Sequence, residues 1–106
     1  MTLDMQKLEP LLGVMVTEIG AAANAALVLV GDKLGLYKAL AAHGPLSSDD
    51  LAKRTNTAPR YVREWLSAQA ASGFVTYDAA AGMSSMSPEQ AAVLADDDSF
   101  VNMTGG

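Results

Sequence analysis

Cysteine is absent from the 106 residues, and histidine occurs once. The first absence excludes disulfides, thiolate nucleophiles and cysteine metal sites, and it makes a reducing cytoplasm the default compartment. The second leaves His43 beside Gly44 with no ligand or nucleophile partner near it in sequence, so a surface or helix-capping role is predicted. Cations are scarce: seven Lys and Arg stand against twelve Asp and Glu, for a net charge of −5. Such a surface repels phosphate backbones and disfavours nucleic-acid binding unless the few cations cluster. None of the nine glycines forms a Gly-x-Gly-x-Gly turn, and Val30-Gly31 lacks the lysine and hydroxyl residue of a phosphate loop. Asp4, Lys7 and Glu9 exclude an ordinary signal peptide at the start. The longest unbroken apolar run, Ala25 to Val30, is far short of the ~20 residues that span a bilayer. The chain therefore reads as soluble, with no membrane partner.

What is present is apolar and rich in alanine. Half the residues are hydrophobic, while charged residues make up 18%, against about 25% in an ordinary soluble domain. The length fits one domain. A chain this short leaves much of its surface wet, which favours finishing the core by association. From Lys7 to Val30, Leu8, Leu12, Met15, Ile19, Ala22, Ala26 and Leu29 recur at spacings of 4, 3, 4, 3, 4 and 3. That is a heptad seam on one long helix. Leu11, Val16, Ala23 and Leu27 widen the stripe, as expected of a helix that meets more than one neighbour. Pro10 fits near the helix start, and Gly13 and Gly20 point to a close approach or a bend. The reading is a helix that pairs with a second copy, with Leu12, Met15, Ile19 and Leu27 at the interface; an ordinary core helix is the alternative.

Gly31-Asp32 is expected to interrupt this helix, and a second is predicted from Lys33 to Ala42 with Leu36, Tyr37 and Leu40 inward. Ser47 or Ser48 then caps a short helix carrying Asp49 and Asp50 in its first turn, with Leu51 and Ala52 buried. Thr55-Asn56-Thr57 turns the chain, and Pro59 opens a helix to about Ser72. Val62, Trp65, Leu66 and Gln69 share one face of it, while Arg60, Arg63, Glu64 and Ser67 lie towards the other. Two short helices joined by a tight turn make a helix-turn-helix. Phe74 to Tyr77 and Met83 to Met86 read as a hairpin, the wing, and Ser87-Pro88 opens a last helix ending near Ala95. The fold class is thus mainly α: a winged helix-turn-helix with a long N-terminal dimerisation helix and a small two-stranded β wing.

Three stretches carry a resemblance: Gly31 to Tyr37 (GDKLGLY), Arg60 to Leu66 (RYVREWL) and Ser87 to Ala91 (SPEQA). The chain, from about residue 8 to 104, resembles the N-terminal winged-helix region of bacterial class I S-adenosylmethionine-dependent methyltransferases, some of which are labelled transcriptional regulators. The resemblance implies an intertwined homodimer that helps to cover the substrate pocket of a following catalytic domain. It also implies S-adenosylmethionine as cofactor of the full-length parent, with none held by this chain. On this reading residues 1–95 are the dimerisation domain and 96–106 start the linker onward, so the chain is expected to be part of a longer protein. No catalytic, cofactor-binding or metal-ligating residue is assigned. Asp96-Asp97-Asp98 lacks the spacing of a calcium loop and reads as solvated linker.

One alternative stays open. Lys53, Arg54, Arg60 and Arg63 are four of the seven cations, all on the helix-turn-helix, where Arg60 and Arg63 could read or hold duplex DNA. Asp49, Asp50 and Glu64 reduce that segment to about +1, Glu64 can pair with Arg60 at i,i+4, and the wing offers Asp78 and no cation. A regulator that binds DNA usually has a broader basic footprint.

Overall fold

The computed structural model describes residues 2–96. Asp97, Asp98, Met103, Gly105-Gly106 and nearly all of the expected 96–106 linker lie outside the described residues. The elements run α1 (Met5–Lys33), α2 (Leu36–His43), α3 (Ser48–Thr55), α4 (Pro59–Ala71), β1 (Thr76–Asp78), β2 (Met83–Ser85) and α5 (Pro88–Leu94). This is a mainly helical winged helix-turn-helix, as the periodicities predict. Helices α2, α3 and α4 enclose a core of Leu36, Tyr37, Leu40, Leu51, Val62 and Trp65, closed below by Val75 and by Leu94 of α5.

Several boundaries differ from the sequence reading. Helix α1 begins at Met5, because the Asp4 carboxylate caps it by accepting from the Gln6 N–H at 3.0 Å. It also continues through Gly31-Asp32 to Lys33. Gly31 is buried there against Trp65 and Tyr37, so its missing side chain makes room for packing and does not end the helix. The turn falls instead at Gly35, whose φ of 76° suits glycine, and α2 starts three residues later than predicted. At the far end of α4, Phe74 donates its N–H to the Gln69 carbonyl at 2.9 Å. That bond closes the helix and withholds Phe74 from the wing, so β1 starts at Thr76.

The wing is a two-stranded antiparallel hairpin with Tyr77 opposite Ser84. The Asp78 side chain orders its turn by accepting from the Ala80 and Ala81 N–H groups at 3.1 and 3.3 Å. Leu46, before α3, forms a bridge to the other edge of β2: Leu46 N–H to Ser84 O at 2.9 Å, and Ser84 N–H to Leu46 O at 2.8 Å. Helix α5 carries the capping box expected at Ser87, with Gln90 N–H to Ser87 Oγ at 3.1 Å and Ser87 N–H to Gln90 Oε1 at 2.8 Å.

Only the C-terminal third of α1 joins this body. Trp65 donates its indole N–H to the Leu27 carbonyl at 2.9 Å, and Gln69 donates to Asn24 Oδ1 at 3.3 Å. Gln69 in turn accepts from the Tyr37 hydroxyl, so a polar chain crosses the core from α2 to α1. Tyr37 and Trp65 meet edge to face with ring centroids 4.9 Å apart. Burial, with Asp32 adding to it, pushes the Tyr37 hydroxyl well above its ordinary value. A raised folded-state value means that Tyr37 holds its proton in the fold after the unfolded chain would have lost it near pH 10. This contribution to stability is therefore complete below about pH 10 and is lost as pH rises further. Urea titrations at stepped pH are expected to show a fall beginning near pH 10, and Tyr37→Phe is expected to flatten that fall from a lower starting stability.

Candidate functional site

The most unusual surface is the N-terminal half of α1. Leu11, Leu12, Met15 and Ile19 are 57%, 50%, 50% and 64% exposed, and Val14 and Val16 lie bare between them. Of residues 2–23, only Leu8 is even half-buried. A helix apolar around most of its circumference is ordinarily buried. By length and composition α1 is apolar enough to cross a bilayer. The test of unbroken apolar runs missed this, because Gly13, Thr17, Gly20 and Asn24 interrupt the run without adding charge, leaving Glu18 as the one charged residue between Glu9 and Asp32. The four expected interface residues divide. Leu12, Met15 and Ile19 project from the body, whereas Leu27 is half-buried and packs on the domain's own core.

Beside this helix lies an open apolar groove of about 820 Å³, bounded by Ala21, Ala25 and Val28 of α1, Phe74, and Val93 and Leu94 of α5. Apart from Glu89, its polar side chains are already engaged. Asn24 accepts from Gln69, and the Gln90 side chain donates to the Gly73 carbonyl at 3.0 Å while accepting from Thr76 at 3.1 Å. The groove therefore offers contact area, with few hydrogen bonds to satisfy.

The helix-turn-helix presents a different surface. Arg60 pairs with Glu64 at 3.9 Å, as the i,i+4 spacing predicts, with both side chains largely exposed. Such an exposed pair adds little stability, and it occupies one of the two arginines offered for DNA. Arg63 has no carboxylate partner among the described residues. It lines a cleft of about 540 Å³ between α4 and the wing, together with Ser48, Ser67, Tyr77 and Ser84. Sequence reasoning placed Arg63 on an outward face and did not see this cleft, because Ser48 and Ser84 reach it only through the Leu46–Ser84 bridge. Gln69 was legible as an oddity, a polar residue on the apolar face of α4, and the Tyr37–Gln69–Asn24 chain accounts for it. Among the described residues no three Asp, Glu or His side chains gather as a metal site would require.

Solved structures share the architecture. A candidate O-methyltransferase from Nostoc punctiforme superposes with a TM-score of 0.70 at 23% identity, covering 83% of this chain and 26% of that one. PigF, solved with SAH, gives a TM-score of 0.75 at 18% identity, covering 98% of this chain and 32% of PigF. The chain thus spans about a quarter to a third of each of these proteins. No curated protein matches the sequence. The model of the Rv2258c-like winged HTH domain matches residues 22–96, which takes in the helix-turn-helix, the wing, α5 and the part of α1 that joins them. The chain belongs to the Rv2258c-like winged HTH domain family.

Proposed function

We propose that this chain is the dimerisation and substrate-cap module of an S-adenosylmethionine-dependent methyltransferase, working in the cytoplasm, with methyl transfer carried out by a separate catalytic domain of the parent protein. The observation that carries the dimer is the projecting half of α1, some 19 residues or about 28 Å of helix with almost no contact to its own domain. An isolated helix of this length is marginal in water, so it requires a partner. A second copy supplies both an apolar helix and an apolar groove. Packing the α1 of each chain against the α1 and α5 groove of the other is isologous, as a twofold dimer requires. A standard interface of roughly 1,600 Å² is within reach of two such helices and grooves. At ~25 cal/mol per Å² that area outweighs the cost of association. The methyltransferase part rests on the portions of methyltransferase chains that share this fold.

A bilayer is the competing destination for α1. Glu18 near the middle of the projecting segment, and the anchoring of Leu27 by Trp65, both argue for a protein partner. Sedimentation equilibrium at tens of micromolar tests the reading. A dimer is expected; a monomer, or a monomer that moves onto lipid vesicles, overturns it. Calorimetric titration with S-adenosylmethionine is expected to give no heat of binding, since the cofactor would belong to the other domain. For duplex DNA at low salt a flat curve is expected. Salt-sensitive affinity lost on changing Arg60 and Arg63 to alanine would install the regulator reading in its place.

A further inference from the structure

The cleft between α4 and the wing is separate from the α1 surface, and nothing in the dimer reading uses it. Its volume of about 540 Å³ falls in the range of small-molecule sites. Ser84 stands out on its wall. The residue is 3% exposed, yet its hydroxyl makes no hydrogen bond with any described residue. Among the described residues no fully buried side-chain oxygen or nitrogen lacks a partner. The Ser84 hydroxyl is therefore not sealed away from solvent, and the residue lines the cleft. A hydroxyl on the cleft wall can donate to an acceptor bound there.

The other walls define what that ligand is. Arg63 contributes a guanidinium with no carboxylate partner among the described residues, in a protein of net charge −5. Its neighbour Arg60 is taken by Glu64, which leaves Arg63 as the cation of the cleft. Asp49 and Asp50 sit in the first turn of α3 but do not line the cleft, so no carboxylate competes for the guanidinium from its walls. Ser48 adds a second hydroxyl that no described residue engages. The lining also includes Leu66, Ala70 and the half-exposed Tyr77, while Gly82 leaves open space at the wing tip. The lining thus combines a fork for a flat anion with apolar and aromatic surface.

We infer that this cleft binds a small aryl carboxylate, with the carboxylate held by Arg63 and the Ser84 and Ser48 hydroxyls and the ring laid on Leu66, Ala70 and Tyr77. A carboxylate matches the guanidinium in two parallel hydrogen bonds and still offers a lone pair to a hydroxyl. A bare inorganic anion would leave the apolar wall uncovered. The site is independent of whether the chain dimerises.

Benzoate is the probe, titrated into the uniformly ¹⁵N-labelled full chain while amide shifts are followed. Saturable shifts confined to Ser48, Arg63, Ser67, Tyr77 and Ser84 are expected, with half-saturation below about 10 mM for so small a ligand. Arg63→Gln is expected to weaken binding at least tenfold and Ser84→Ala about threefold, while Arg60→Gln leaves it unchanged. Arg63 is exposed, so its variant keeps the native spectrum and its loss of binding is not a loss of fold. Benzamide, which has the ring without the charge, and phosphate, which has charge without the ring, are both expected to bind at least tenfold more weakly than benzoate. Absence of saturable shifts at 20 mM benzoate overturns the assignment. So does an Arg63→Gln variant that binds normally, or equal binding of benzamide or phosphate.

Discussion

Changing Met15 and Ile19 together to glutamate is expected to turn a dimer of this chain into a monomer while leaving the winged helix folded. Both side chains project from the body, 50% and 64% exposed, so neither contributes to the core that holds the domain. In a helix-to-groove interface each would be desolvated, and a buried carboxylate without a partner is strongly unfavourable. A loss of at least a hundredfold in dimer affinity follows, or about 3 kcal/mol. Sedimentation equilibrium reads it directly. The core should stay intact, with helical signal lost only from the freed part of α1. Leu27→Ala is the contrast, because Leu27 packs on the chain's own core. Its expected cost is about 2 kcal/mol of domain stability, at the low end for a large-to-small core change because the residue is only half-buried. If the glutamate pair leaves the dimer untouched, the projecting half of α1 is not the contact.

Gly31→Ala is expected to destabilise the domain, although alanine is the better helix former by ~1 kcal/mol. A Cβ at Gly31 would stand 2.9 Å from Trp65 Cε2 and 3.0 Å from Tyr37 Cε2, with Trp65 Cζ2 nearer still. Neither ring can yield. Trp65 is fixed by its bond to the Leu27 carbonyl, and Tyr37 by its bond to Gln69. Overpacking of this kind costs roughly 1–3 kcal/mol after the propensity gain, which for a domain of this size lowers the midpoint by about 10 °C. Thermal melts followed by circular dichroism check it. In a Trp65→Phe background the smaller ring opens the space, so the same alanine substitution should cost less. A cost unchanged by the background would mean that the contact with Trp65 is not what excludes the side chain.

The sequence was most readable where periodicity and punctuation coincide. The face of Val62, Trp65, Leu66 and Gln69, the Ser87 cap, and the Arg60–Glu64 pair each depend on neighbours within four residues, and each is found as read. Gly31 was misread because a helix-stopping glycine and a close-packing glycine look alike in one dimension. What separates them is Trp65, 34 positions away. The wing started late for a related reason, since Phe74 answers to the Gln69 carbonyl and not to its own β propensity. The membrane-length character of α1 was hidden by counting unbroken apolar runs, when the physical quantity is how few charges a long helix carries. The cleft was beyond reach, because its walls come from α3, α4 and both strands and meet only through the tertiary bridge at Leu46.

Trp65 is the only tryptophan in the chain, and it is buried at the joint between α1 and the rest of the fold. Its indole touches the one carbonyl, that of Leu27, which would be released if the long helix swung away. The protein therefore carries its own optical gauge of that joint. Emission should shift to the red when α1 detaches and water reaches the ring. Self-association through Met15 and Ile19, far along the helix, should leave it unchanged. Colour and mass thus read two separate events in the same sample, the hinge and the handshake, with no label attached.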